Sequence, residues 1–184
     1  MHNKPRIYYF INNFNSNEIK NLNKNISLIY RNYDDVLDLK VIKSIKSICL
    51  KQKRKFYISN NLKIAKKFKL DGVYIPSFNN LLNLKNLSTL KNFKIIGSAH
   101  NKMQVINKQK QGCEEIFIAP IFKTKKSNFF LNISKFNLIS NFSCIKIIAL
   151  GGINFNNFYK LRAVNCFGFA AIEWIKKTGL NKNK

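Results

Sequence analysis

The sequence predicts a small single (β/α)8 barrel, a TIM barrel, and three observations carry that prediction. Short apolar runs recur eight times along the 184 residues, and segments with helical apolar spacing lie between most of them. Several runs are continuous stretches of β-branched and aromatic residues, as strands covered on both faces require. No linker, internal repeat or Pro/Gly/Ser-rich boundary interrupts the alternation. Such alternation implies parallel strands joined by right-handed crossovers, and eight units are the count of the closed barrel. The units average about 23 residues, so the loops must be trimmed. The competing arrangement, a doubly wound open sheet, gains nothing here, because no G-x-G-x-x-G follows the first strand.

The elements follow in order. Strands are expected at 7–11, 26–30, 56–58, 72–75, 94–97, 115–119, 145–150 and 167–172. The clearest helix is 37–51, where Leu39, Ile42, Ile45, Ile48 and Cys49 share a face and the lysines point away. Helices are also expected at 61–69, 102–111, 134–140 and 154–162, and a short or irregular one in the Leu- and Asn-rich stretch 79–92. The chain reads as one domain over 1–184, with a core at about 7–175 and a short basic tail at 179–184. The early run 7–11 is short and no small-residue cleavage site follows it, so it reads as a first strand rather than a signal peptide.

Composition narrows the function classes. No stretch approaches the roughly 20 apolar residues of a membrane span, so no membrane partner is expected. Cys49, Cys113, Cys144 and Cys166 are widely spaced in apolar runs, without a CxxC pair. They read as buried free thiols of a reducing, cytoplasmic protein rather than zinc ligands or a disulfide framework. The formal charge is +25, yet only 4 of the 33 basic residues are Arg, beside 28 Asn and 25 Ile. Lys, Asn and Ile are the residues of A/T-rich codons, and sequence-specific nucleic-acid readers favour the Arg fork. The lysines, including those in the run 51–55, therefore read as a solvated basic surface without a specific nucleic-acid partner.

In a barrel of this kind the site lies where strands end. That rule selects 31–33, 59–61, 76–79, 98–100, 120–127, 151–153 and Glu173, which hold nearly every unusual residue of the chain. The run Ala149-Leu150-Gly151-Gly152-Ile153 leads into a helix expected to open at Asn154. Two glycines after a buried strand let backbone amides approach an anion, and a helix N-terminus adds partial positive charge. Glycines also end strands for steric reasons alone. His100 can be an acid/base group or a cap, and Arg31 a ligand contact or a surface ion pair. Tyr33 and Trp174 read first as packing residues.

At these strand ends the sequence resembles the thiamine-phosphate synthase/TenI family, over about 7–175. Ile29-Tyr30-Arg31-Asn32-Tyr33 stands where the family has Q-L-R-x-K, and Tyr57-Ile58-Ser59-Asn60-Asn61 where it has I-N-D-R. The stretch from Asp71 to Ser77 is similar to D-G-V-H-L-G-Q, and Gly97-Ser98-Ala99-His100 to G-x-S-x-H. Pro120-Ile121-Phe122-Lys123-Thr124 and Leu150-Gly151-Gly152-Ile153 resemble P-V-F-x-T and I-G-G-I, and 168–172 looks like the eighth strand. The resemblance implies an enzyme of thiamine biosynthesis, a transferase joining an aminopyrimidine diphosphate to a thiazole phosphate with Mg²⁺. Pyrophosphate leaves through a pyrimidine carbocation, and no organic cofactor takes part.

Carried over residue by residue, the resemblance gives Arg31, Ser98 and Lys126 catalytic roles. Substrate and phosphate contacts fall to Arg31, Tyr33, Ser59, Ser98, His100, Thr124, Lys126, Gly151, Gly152, Ile172 and Glu173. The two carboxylates the family uses for Mg²⁺ fall on Asn60 and Asn79, so any Mg²⁺ binding is expected to be weak. The pyrophosphate lysine falls on Tyr33, the residue before the first metal position is Ser59 instead of Asn, and Glu173 replaces a Ser. Lys125 or Lys126 supplies the positive charge of the sixth loop. The tautomerase branch is not matched either, since its catalytic His aligns with Pro120, although Pro76-Ser77 looks more like that branch.

Three functions follow as expectations: synthase-like transfer, a TenI-like paralogue that binds or rearranges a phosphorylated thiamine precursor without efficient synthase activity, and a basic polyanion binder on an inherited barrel. A homo-oligomer is compatible with each. If the lysines reflect codon drift, binding to DNA or RNA will be sequence-blind and will collapse between roughly 50 and 200 mM salt. A binding titration across that range on two unrelated sequences checks this, and sequence-selective binding that survives the higher salt would refute it.

Overall fold

A computed structural model describes residues 5–33, 37–81, 92–125 and 127–180. Eight parallel strands close a ring in the order β1 (Arg6–Ile11), β2 (Ile26–Tyr30), β3 (Phe56–Ser59), β4 (Gly72–Ile75), β5 (Lys94–Ala99), β6 (Glu115–Ile118), β7 (Lys146–Leu150) and β8 (Gly168–Ala170). The seam pairs β8 with β1, Phe169 lying opposite Ile7. Helices α1 (Ser16–Lys20), α2 (Leu39–Lys51), α3 (Leu62–Lys67), α4 (Lys102–Lys110), α5 (Asn132–Ser140) and α6 (Ile172–Thr178) follow their strands around the outside. The abundant Asn has structural work here. Asn15, Asn61 and Asn101 accept from the backbone N–H of Glu18, Ile64 and Gln104, and Asp38 does the same for Lys40, satisfying orphan donors at four helix starts.

Alternating side chains sort into two cores. Inward-facing Tyr8, Phe10, Ile29, Tyr57, Tyr74, Ile96, Phe117, Ile148 and Ala170 fill the ring. Its aromatic rings meet edge-on, Tyr8 against Phe117 at 4.9 Å and Phe10 against Tyr74 at 5.2 Å. Outward-facing residues pack beneath the helices. At the N-terminal end of the ring the buried Glu115 carboxylate accepts from the Tyr8 hydroxyl at 2.5 Å and pairs with Arg6 and Lys94.

Four expectations need correction. The segment 154–162 is no α-helix: a turn at 155–157 leads into a 3-10 helix at Phe158–Ala163. Asn side chains compete locally for its backbone, Asn154 Oδ1 accepting from Asn156 N and Asn157 Oδ1 from Asn154 N, so the chain closes a tight turn instead. The eighth strand stops at Ala170, and Ile172 opens α6, because the chain turns outward at Ala171 to lay Trp174 against Phe158 and Phe169. Within the basic run 51–55, Arg54 is buried rather than solvated, donating to the carbonyls of Leu22, Asn23 and Ile26. Leu39, at the first turn of α2, is exposed while Ile42, Ile45 and Cys49 are buried.

Most of the expected helix at 79–92 and all of 181–184 lie outside the described residues. No helix among the described residues is long and apolar enough to cross a membrane. Cys144 is exposed and Cys166 half-buried, so only two of the four thiols are in the core. Burial pushes the Cys49 and Cys113 thiols from 9.0 up to about 12. A folded value raised in this way contributes stability that is whole below the unfolded value and lost as pH rises through the folded one. Denaturant titrations at about pH 8 and about pH 10.5 should therefore show a steeper alkaline loss of stability in the native chain than in Cys49→Ala/Cys113→Ala. Equal slopes would mean that both thiols already meet water in the fold.

Candidate functional site

Inward parity continues past the aromatic layer and delivers polar groups to the C-terminal mouth. Ser59 stands two residues after Tyr57, Ser98 two after Ile96 and Arg31 two after Ile29, so all three rise from inward-facing positions. Burial pushes the Tyr74 phenol far above its ordinary range, against the opposing effect of a hydrogen bond with Ser98. The Ser59 hydroxyl is buried and, among the described residues, has no hydrogen-bond partner. An unpaired buried hydroxyl at a strand end costs free energy unless something completes it. Arg31 lies with its guanidinium 5.5 Å from the Phe10 ring centre and its Nε donating to Asn12 Oδ1 at 3.2 Å. Among the described residues it has no carboxylate partner, and Asp34 and Asp35 of the same loop lie outside them. Tyr33 is half exposed and meets Phe78 edge-on at 5.6 Å, forming an aromatic rim above β2 and β4.

The two candidate metal positions do come together, and they bond to each other. Asn79 Nδ2 donates to Asn60 Oδ1 at 2.7 Å, while Asn79 Oδ1 accepts from Leu81 N at 2.9 Å. Asn60 holds a left-handed backbone, φ 54°, that Asn tolerates better than most residues. A divalent cation needs charged oxygens turned toward one point; here both amide oxygens are engaged, neither is charged, and an amide NH₂ lies between the two side chains. Among the described residues no group of three or more His, Cys, Asp or Glu could hold a metal ion. The residues present therefore do not fit Mg²⁺ as a resident ion.

The remaining sites gather on the opposite side of the mouth. His100 Nδ1 donates to the Ala119 carbonyl at 2.7 Å, tying the ends of β5 and β6. Thr124 turns its hydroxyl to the Ser127 carbonyl within the sixth loop, and Lys126 lies outside the described residues. Lys125 reaches across to Glu173 at 3.0 Å, so the Glu173 carboxylate, in the first turn of α6, turns to the sixth loop. Gly151 and Gly152 have φ of 96° and 71°. A Cβ on Gly152 would lie 2.4 Å from the Lys123 carbonyl oxygen and 2.6 Å from that of Phe122. Loop packing thus demands glycine at 152 whatever else the turn does. The helix dipole expected at Asn154 is absent, and the Asn154 and Asn157 amides instead cap the Gly152 carbonyl. Ile172 is the partly exposed first residue of α6.

Sequence reasoning missed Lys108 and Gln111. Both are buried, behind the Asn79 loop, with Lys108 Nζ 2.6 Å from the Asn79 carbonyl. Burial pushes the Lys108 amine down to about 8. The legible signal was spacing, since Lys108 follows buried Val105 by one turn on the inward stripe of α4.

The thiamine monophosphate synthase family model matches residues 22–175. A thiamine-phosphate synthase of Prochlorococcus marinus is 33% identical over 139 residues, 72% of this chain and 39% of that protein. One of Pelagibacter ubique is 33% identical over 134 residues, 71% of this chain and 63% of that one. The chain thus spans about two fifths of the length of the Prochlorococcus relative. In fold, the thiamine phosphate pyrophosphorylase of Pyrococcus furiosus superposes with a TM-score of 0.77 at 17% identity, covering 97% of this chain and 93% of that one. That of Bacteroides thetaiotaomicron gives 0.65 at 17% identity over 95% and 86%. Those two likenesses concern the fold; the sequence match across seven of the eight strands concerns descent. This chain belongs to the thiamine monophosphate synthase family.

Proposed function

We propose that the mouth binds a phosphorylated pyrimidine and a phosphorylated thiazole, and that the chain is a transferase of the thiamine-phosphate synthase type. The observation that carries this reading is the span of the family match. Residues 22–175 take in the ends of β2 to β8, where Arg31, Ser59, Ser98, Thr124, Gly151 and Gly152 stand. In such a transfer the thiazole nitrogen takes the pyrimidine methylene carbon. The bond from that carbon to the diphosphate oxygen breaks, and pyrophosphate leaves with the electron pair. The chain's own task is to hold two anions in line and to favour the charge that builds on the leaving group. Arg31, braced by Asn12 and Phe10, presents a guanidinium to the pyrophosphate oxygens. Ser59 brings a buried hydroxyl that a ligand would complete, and Ser98 a second hydroxyl on the same floor. The Gly151-Gly152 turn with Lys125 supports a phosphate site on the far side, where Glu173 competes for the lysine.

A second reading has its own support in the Asn60–Asn79 bond. A mouth whose metal positions are spent on each other suits a protein that binds or rearranges a phosphorylated thiamine precursor without efficient synthase turnover. Expression in a thiamine auxotroph lacking the synthase, with pyrophosphate release measured on the pure protein, separates the two. Growth and product formation are expected under the first reading. Binding of thiazole phosphate without product selects the second, and failure to bind either substrate sinks both.

The metal positions make a sharper prediction. The native chain should bind Mg²⁺ weakly in calorimetry, whereas Asn60→Asp/Asn79→Asp should bind it about tenfold or more tightly, some 1.4 kcal/mol. The double variant alone should gain thermal stability when Mg²⁺ is added. Tight Mg²⁺ binding by the unmodified chain would overturn this account of the site.

A further inference from the structure

We propose that Lys108 and Gln111, buried on the barrel's flank, are positioning residues that set the Asn79–Asn60 clasp at the mouth. The inference rests on the proposed function for its consequence, but its geometry stands alone. Lys108 Nζ donates to the Asn79 carbonyl at 2.6 Å and to Gln111 Oε1 at 2.8 Å. Gln111 Nε2 donates to the carbonyls of Asn79 and Leu81, both at 2.9 Å. Both side chains are 0% exposed. Every one of these bonds ends on the three-residue stretch from Asn79 to Leu81 or ties the two clamps together. On its other side the same stretch makes the mouth, Asn79 Nδ2 reaching Asn60 and Asn79 Oδ1 holding Leu81 N.

Burying an ammonium is costly unless it is well hydrogen-bonded. Among the described residues Lys108 has no carboxylate partner, so the neutral carbonyl and amide oxygens must carry that load. The barrel also makes room for it. A Cβ on Gly97 of β5 would lie 2.8 Å from Lys108 Cδ and 2.8 Å from Cys113 Sγ, so the lysine stem threads a slot that opens because residue 97 has no side chain. A helix face that needed only packing would have taken an aliphatic residue at this position. The charged end instead fixes one loop of the site from behind, and a polar side chain three residues on fixes its neighbour. Freed of that clamp, Asn79 would lose its register with Asn60 across the gap between β3 and β4.

The test uses the full chain and Lys108→Met, which keeps the length of the stem and removes the ammonium. Leu81 amide exchange is expected to speed up at least tenfold, and the Asn79 side-chain amide resonances to shift. Affinity for inorganic pyrophosphate should fall severalfold relative to the exposed-surface control Lys110→Met, while thermal stability falls little or rises. A merely structural lysine would do the reverse, lowering stability and leaving the mouth unchanged in the folded protein. If Lys108→Met does not fold, Gly97→Ala reads the same signals, because it crowds the stem while retaining the charge. Unchanged Leu81 exchange and Asn79 resonances in a folded variant overturn the proposal. Native protein that does not bind pyrophosphate counts against the functional reading alone, and the exchange measurement still decides this one.

Discussion

Closing eight short parallel strands into a ring leaves an interior that side chains must fill, and that constraint organises the rest of the molecule. The strands are three to six residues long, so each sends only one or two side chains into the apolar filling of the ring. Large rings make up the difference. Tyr8, Phe10, Tyr57, Tyr74 and Phe117 take most of the space, four of them meeting edge-on and Tyr57 tilted against Tyr8, with Ile29, Ile96 and Ile148 between them. Once this layer is in place, the next inward positions have no volume left to fill. They become the mouth, where polar residues stand in place of apolar filling.

The same layer separates two electrostatic regimes. Below it, Glu115 is buried among Arg6, Lys94 and Tyr8, a compensated cluster at the end of the barrel that holds structure. Above it, Arg31 has no acidic partner among the described residues, and two neutral amides meet where the family resemblance placed carboxylates. Arg31 and the paired amides are the groups on which the proposed binding of phosphorylated ligands rests.

Asparagine shows how composition and structure can both be right. Its abundance is what A/T-rich codons would give, yet individual asparagines have structural roles. They cap three helices, turn the segment after β7 away from α-helix, hold the left-handed bend after β3 and form the clasp across the mouth. A short amide that bonds its own neighbourhood suits all of these tasks, which is also why the helical period at 154–162 misled.

The sequence by itself determined the eight strands, their parallel order and the closed barrel, and it pointed to the end where the candidate site is sought. These follow from local apolar runs and their alternation, and burial on both faces makes such runs unambiguous. It also located Arg31, Ser59, Ser98, Asn60 and Asn79 at the mouth, because strand ends can be read from where the runs stop. Only the tertiary structure decided which polar groups meet. Asn60 and Asn79 are 19 residues apart, and Lys108 is 29 from the carbonyl it holds. No local pattern distinguishes an amide that awaits a cation from one that bonds its neighbour, or a lysine bound for solvent from one threaded past Gly97. Those outcomes depend on hydrogen-bond partners delivered by separate strands and helices, and they exist only once the ring has closed.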